Sequence, residues 1–203
     1  MMAHGPNGAL SRRCPSTSDN ETGQLKVERA EHGQKHKTTV THLEMMTPPR
    51  LPPAPRPPGK YALMRAENPP VHFYRYLYDA VGRDYVWVNR KRLSDAALAV
   101  IIQHEAVEIY VLYVNGVPAG YFELDFRHMP RAELSFLGAM PEHVGSGLGS
   151  YMLREAISLA WRRAPERLIV QTCTLDHPRA LPLYQRYGFT PYAQEEAVLE
   201  EIE

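Results

Sequence analysis

Glu133–Arg154 reads ELSFLGAMPEHVGSGLGSYMLR, and a change of period inside it decides the fold. Up to Met140 the residues read as a strand that ends at Pro141. Beyond the glycines, Leu148, Met152, Leu153, Ala156, Ile157, Ala160 and Trp161 form one stripe of a helix of about four turns. Between them lie Gly145, Gly147 and Gly149. Glycines at alternating positions let successive backbone N–H groups turn toward one point at the positive end of the helix, with no Cβ in the way. Such a nest suits a pyrophosphate; a plain glycine turn entering a helix is the competing account. A nucleotide P-loop needs a lysine after its last glycine, and Val144–Arg154 contains none. A dinucleotide loop needs GxGxxG, whereas the spacing here is GxGxG, and Glu166 precedes the next strand instead of ending it.

Working outward, Glu108–Val114 runs into Asn115-Gly116, a strong hairpin signal because both residues tolerate positive φ. Val117–Asp125 returns, and a turn near His128-Met129-Pro130 leads to Ala132–Met140. Upstream, Thr38–Met46 reads as a first strand and Pro48–Pro58 as an extended connector, with Tyr61–Ala66 continuing the strand. Val71–Ala80 reads as a helix, and Ser94 as the N-cap of a second helix reaching Gln103. Downstream, Leu168–Thr174 is a buried strand, Pro178–Tyr187 a helix, and the chain from Phe189 a last strand or a frayed end. The order predicts an α/β fold: a mixed, largely antiparallel sheet flanked by helices. Met1 to about Lys37 is rich in Gly, Ser, Asn, Glu, Gln and Lys, which predicts a disordered extension ahead of one domain over 38–203.

The glycine loop resembles the pyrophosphate signature of the GNAT superfamily, Q/R-x-x-G-x-G/A, with Gly147 and Gly149 at its glycines. His177–Phe189, HPRALPLYQRYGF, resembles that family's second landmark, N-x-x-A-x-x-x-Y-x-x-x-G-F. The resemblance implies acetyl-CoA as co-substrate and N-acetyl transfer to a primary amine, small-molecule or peptidyl. It places the cofactor against Val144, Gly145, Ser146, Gly147, Leu148, Gly149 and Ser150. It also pairs the pantetheine arm with the strand at Leu137, Gly138 and Ala139, and brings His177 near that arm. Two positions depart from the pattern: Val144 replaces Gln or Arg, and His177 replaces Asn. They keep open a catalytically silent CoA-binding module, and the loop does not fix the acyl chain length.

An ammonium must lose a proton before it attacks a thioester, and a carboxylate can take it. Counting back from the glycines, Glu133 matches the base of histone-modifying relatives. Alternation puts it on one face with Ser135 and Leu137. Glu123, sharing a face with Asp125 on the neighbouring strand, is the second candidate. The resemblance makes Tyr184 the acid that protonates the leaving thiolate, against a simple packing role at helical spacing with Leu181 and Tyr187. The aromatics Phe73, Tyr74, Tyr76, Tyr78, Tyr85 and Trp87 are candidates for the acceptor pocket. Cys173 reads as a small buried hydrophobe, and Arg179 and Arg186 as a solvated helix face or as phosphate contacts.

Lys+Arg and Asp+Glu both total 23, which gives no electrostatic footprint for nucleic acid or anionic membrane. The longest apolar run, Ala96–Ile102, is far too short to span a bilayer. No secretory h-region is expected, and two cysteines fit a reducing cytoplasm better than a disulfide framework. The histidines are expected to form no metal site. Edge strands of the resembled fold make a homodimer an expected option.

Overall fold

The computed structural model describes residues 33–50, 56, 57 and 59–202. The expected disorder of residues 1–37 therefore falls mostly outside the described residues, as does much of the proline connector. Lys35–Lys37 already belong to strand β1, Lys35–Met45. The other elements are β2 Tyr61–Arg65, α1 Val71–Gly82, α2 Asp95–Ile102, β3 Val107–Val114, β4 Val117–Asp125, β5 Arg131–Ala139, α3 Leu148–Trp161, β6 Arg167–Cys173, α4 Ala180–Arg186 and β7 Thr190–Glu200. Local chemistry explains several boundaries. Asn115 and Gly116 adopt φ of 51° and 86°, as the tight hairpin requires. The Ser94 hydroxyl accepts the Ala97 N–H at 3.3 Å and starts α2.

The seven strands lie in the order β2-β3-β4-β5-β6-β1-β7, antiparallel except for β5 beside β6. One expectation is corrected here. Tyr61–Arg65 does not continue the first strand but forms the opposite edge, paired with β3 from Tyr61↔Val114 to Arg65↔Tyr110. Strands of similar pattern carry no mark of their neighbour, so strand order is decided by long-range packing. β1 runs between the last two strands of the chain, aligned with β6 from Val40↔Cys173 to Met45↔Leu168. The segment after Phe189 forms β7 along the free side of β1, so the last-strand option holds and the frayed end does not.

Each face of the sheet carries its own core. On one, Phe122, Leu124 and Leu134 pack with Met152, Leu153, Ala156 and Ile157 of α3 and with Tyr184 of α4. The helical stripe read from the sequence is the buried stripe, and each such Leu or Ile contributes about 1.5–3 kcal/mol by leaving water. On the other face Tyr74, Leu77 and Tyr78 of α1 and Leu98 and Ile102 of α2 cover Ile109, Val111 and Tyr121. Two irregularities prepare the site. β6 accompanies β5 only from Arg131 to Leu134, so the two strands part beyond it. In β5, Leu134 faces Leu124 and Phe136 faces Glu123, which leaves Ser135 as an extra, bulged residue.

Candidate active site

α3 begins without a cap: Gly147 is the N-cap at φ 89°, and no side chain bonds the first turn. The N–H groups of Leu148, Gly149 and Ser150 have no carbonyl within the helix to bond. A Cβ added at Gly145, Gly147 or Gly149 would meet no atom within 4 Å. Packing therefore does not demand a glycine at 149, where it costs a helix about 0.5–1 kcal/mol against alanine. The residues there leave room and donors for an anion. The expected set needs trimming, because the Val144 and Ser146 amides close turns onto Pro141 and His143 at 3.2 Å each. The Ser146 hydroxyl likewise donates to the His143 carbonyl at 2.5 Å. That leaves the Gly145, Gly147, Leu148, Gly149 and Ser150 amides. The Leu148 side chain is buried in the core, and the Val144 side chain is 43% exposed with no polar atom to offer.

The open edge of β5 continues the line of donors. Met140 donates its N–H to the Ala119 carbonyl at 2.9 Å, toward β4. Alternation along the strand then turns Gly138 toward β4 as well, and turns Leu137 and Ala139 to the side that β6 has left. Of the three expected strand contacts, two amides are available and one is used within the sheet. Gly138 has a different reason to be glycine: a Cβ there would lie 2.2 Å from Cγ1 of Val81, so α1 lies close against β5.

One cleft of about 810 Å³ joins these parts. Its lining includes Leu137–Ala139, Val144, Gly145, Gly147, Gly149, Ser150, His177, Tyr184 and Glu133. Ser146, Leu148 and Glu123 do not line it. Tyr184 is 6% exposed, and burial with the nearby Asp176 charge pushes its phenol well above the ordinary value, so it holds its proton. His177 accepts the Arg179 N–H on Nδ1 at 3.1 Å, which assigns a ring proton to Nε2 in the neutral form. Among the described residues, no group of three or more His, Cys, Asp and Glu side chains is arranged to hold a metal.

Glu133 and Asp125 face each other across β4 and β5 and project from one face of the sheet. Burial raises Asp125, but hydrogen bonds from Arg127, the closest at 2.6 Å, outweigh it and hold the carboxyl below its usual range. The Glu133 carboxylate accepts no hydrogen bond among the described residues. Burial first, then Asp125 and Glu123, raise its pKa against the pull of Arg131 and Arg90. The bulge corrects the expected alternation. Because Ser135 is extra, Glu133 shares its face with Phe136 and Gly138, whereas Leu137 packs with the α3 core. Glu123 is also corrected. It is fully buried, and its carboxylate accepts Arg90 Nη2 at 2.5 Å and the Tyr74 hydroxyl at 2.5 Å. A carboxylate so engaged is a counter-ion, not an available base.

Of the expected aromatics, Tyr78, Tyr85 and Trp87 line the cleft, with Phe136 from β5. Tyr74 is buried, and Tyr76 is 51% exposed. Sequence reasoning missed Asp176 and Arg90. Asp176 accepts N–H or O–H donors from Trp87 at 3.2 Å, Thr172 at 2.8 Å and Cys173 at 2.9 Å. Its place just before the second landmark was the one local signal; its partner Trp87, 89 residues away, left none.

The model of the acetyltransferase (GNAT) family matches residues 61–189. Among solved structures, the ribosomal-protein-S18-alanine N-acetyltransferase of Escherichia coli is similar at TM-score 0.54 and 16% identity, over 71% of this chain and 96% of that one. A GCN5-related N-acetyltransferase from Sphaerobacter thermophilus gives 0.55 and 15%, over 84% of this chain and 53% of that one. An aminoglycoside acetyltransferase from an uncultured soil metagenomic sample gives 0.52 and 13%, over 63% and 86%. The chain thus spans about half to two thirds of the length of several neighbours. No curated protein matches.

Proposed function

The chain belongs to the acetyltransferase (GNAT) family, and from that premise we propose that it moves an acetyl group from acetyl-CoA to a primary amine. One observation carries this most: an uncapped, glycine-rich helix N-terminus and the unpaired edge of β5 open into a single cleft with a free carboxylate and a buried phenol. When bound, acetyl-CoA supplies an acyl group activated as a thioester. The amides of Gly145, Gly147, Leu148, Gly149 and Ser150 would hold its pyrophosphate, and the β5 edge at Leu137 and Ala139 its extended arm. Those donor sites and the empty space over the glycines fit such a group.

Glu133 takes the proton of the attacking amine, directly or through one water. Its raised pKa brings it nearer the operating pH, where a general base works best. The Leu137 N–H donates to the carbonyl oxygen as negative charge develops there. Tyr184 donates its proton as the carbon–sulfur bond breaks and the carbon–nitrogen bond forms, giving an amide and a thiol. The nitrogen gives up a second proton as the amide forms; of the two protons it has lost, one restores the phenol through solvent and the other is released. Two neighbours named for an aminoglycoside and a protein alanine support an amine acceptor, small or peptidyl. A cytoplasmic setting agrees with the cysteine usage. No helix among the described residues is long and apolar enough to cross a membrane.

The test is thioester consumption with acetyl-CoA across a panel of amines, beside calorimetry of CoA binding. Turnover should fall about 10²-fold in Tyr184→Phe with affinity for CoA unchanged. Equal turnover would remove Tyr184 from the chemistry. Binding without turnover of any amine would favour a silent CoA-binding module.

A further inference from the structure

The backbone at two places and a side chain at a third are adapted to the indole of Trp87. Gly82, the last residue of α1, carries no Cβ; one there would lie 2.6 Å from three atoms of the Trp87 side chain. Val86 adopts φ 55° and ψ 42°, a left-handed conformation that a β-branched residue adopts only under constraint. Asp176 reaches from beyond β6 to accept the indole N–H. Helix propensity and backbone strain are both spent on placing one side chain, which lines the cleft while packing on the core of that face.

Trp87 stands on the side from which a nucleophile must come. Glu133 has to touch the amine, and Glu133, Phe136 and Gly138 share one face of β5. Glu133 and Phe136 lie opposite Asp125 and Glu123, which sit two residues apart on β4, so the two are neighbours at about 7 Å. Trp87, Phe136 and Tyr78 touch one another there, with ring centroids 5.2 to 5.5 Å apart. A Cβ at Gly138 would lie 3.6 Å from the Trp87 ring. Two polar atoms of this wall already have partners. Trp87 gives its N–H to Asp176, and the Tyr78 hydroxyl accepts the Arg90 N–H at 3.2 Å. Arg90 lies over Phe136 at 5.1 Å, with its charge matched by Glu123. What the wall offers a ligand is ring surface, next to a charged end where Glu133 shares the cleft with Asp125, Arg127, His128 and Arg131.

We infer that the acceptor is a primary amine on a flat, apolar stem, an arylalkylamine in chemical class, and that Trp87 determines that specificity with Asp176 positioning it. This rests on the transfer chemistry proposed above. The stem packs on the partly exposed rings of Trp87 and Phe136, which the buried Tyr78 backs, and the ammonium lies between those rings and Glu133. A polyhydroxylated amine gains nothing from the Trp87 and Phe136 rings and has hydrogen-bond partners only among the polar groups elsewhere in the cleft.

The experiment has two readouts. Acyl transfer to 2-phenylethylamine, butylamine, kanamycin and an alanine-terminated peptide is compared in wild type, Trp87→Leu and Asp176→Asn. In parallel, the indole N–H signals of a 15N-tryptophan-labelled sample are followed by NMR while each amine is added. Trp161, whose indole N–H donates to Met45 Sδ at 3.2 Å, serves as internal reference. The expected result is highest kcat/KM for 2-phenylethylamine, a moving Trp87 signal and a still Trp161 signal. Trp87→Leu should raise KM for 2-phenylethylamine at least about tenfold while changing butylamine little. Asp176→Asn should move KM in the same direction by less. Preference for kanamycin or the peptide, or an equal loss on every amine in Trp87→Leu, would overturn the assignment. If no amine is turned over yet 2-phenylethylamine still moves the Trp87 signal, the pocket assignment stands and the transfer chemistry falls.

Discussion

The two ends of the cleft are built by opposite means. At the α3 end the protein withholds side chains: three glycines and an uncapped turn leave main-chain amides facing open space. At the Glu133 end it gathers side chains from β4, β5, α1, the segment before α2 and the turn beyond β6, and holds them with a buried ion pair and a tryptophan anchor. The first end needs only a local backbone conformation, so any ligand with a suitable anion fits. The second needs several elements in register, so it is the end that can discriminate.

The division predicts different responses to substitution. Glu133→Gln should lower kcat by about 10³ with CoA affinity retained, because a neutral amide takes no proton. The wild-type rate should fall with acid through a pKa above the ordinary carboxylate value of 4.5. A raised folded-state pKa also means that the folded protein pays to keep Glu133 charged at neutral pH, a cost absent from the unfolded chain. Glu133→Gln should therefore raise Tm at pH 7 by about 2 °C, with the gain shrinking as pH falls toward 4.5. A rate unchanged by this substitution would erase the distinction between the two ends.

Gly147→Glu should weaken CoA binding at least about a hundredfold in calorimetry, since a carboxylate beside a pyrophosphate costs several kcal/mol. The fold should survive, because no atom waits within 4 Å and the strain at φ 89° is about 1–2 kcal/mol. Retained affinity would show that the anion sits elsewhere. Glu123→Ala tests the other end. It leaves Arg90 without its buried partner, and urea denaturation should show about 3–5 kcal/mol of lost stability. Loss of kcat with stability intact would instead restore Glu123 as the base. The smallest effect belongs to Val144→Gln, which supplies the side-chain donor missing from the loop. It should tighten CoA binding a fewfold, about 1 kcal/mol at most, because the amides already do most of the holding.

The glycine loop, the stripe of α3, the hairpin at Asn115-Gly116 and the tyrosine landmark were legible because each is a short-range pattern in which backbone need and residue type coincide. The bulge at Ser135 was not legible. A strand's period is two, and one extra residue moves every later side chain to the other face without leaving a mark in composition. Glu133 was singled out by its distance from the glycines, yet strand alternation gave it the wrong companions. Glu123 read as the second candidate base, and nothing in the sequence signalled that Arg90 and Tyr74 reach its buried carboxylate from other elements.

By itself the sequence determined the kind of sheet, the helix that begins at the glycine turn and the two landmarks of the family, since each follows from dihedral preference and local periodicity. Only the tertiary structure decided that β1 lies between β6 and β7, that β5 and β6 part after Leu134, and that Asp176 holds Trp87 in the cleft that Glu133 also lines. Those choices depend on which surfaces meet across the molecule, and the free energy of such meetings belongs to pairs of distant residues instead of any one stretch of chain.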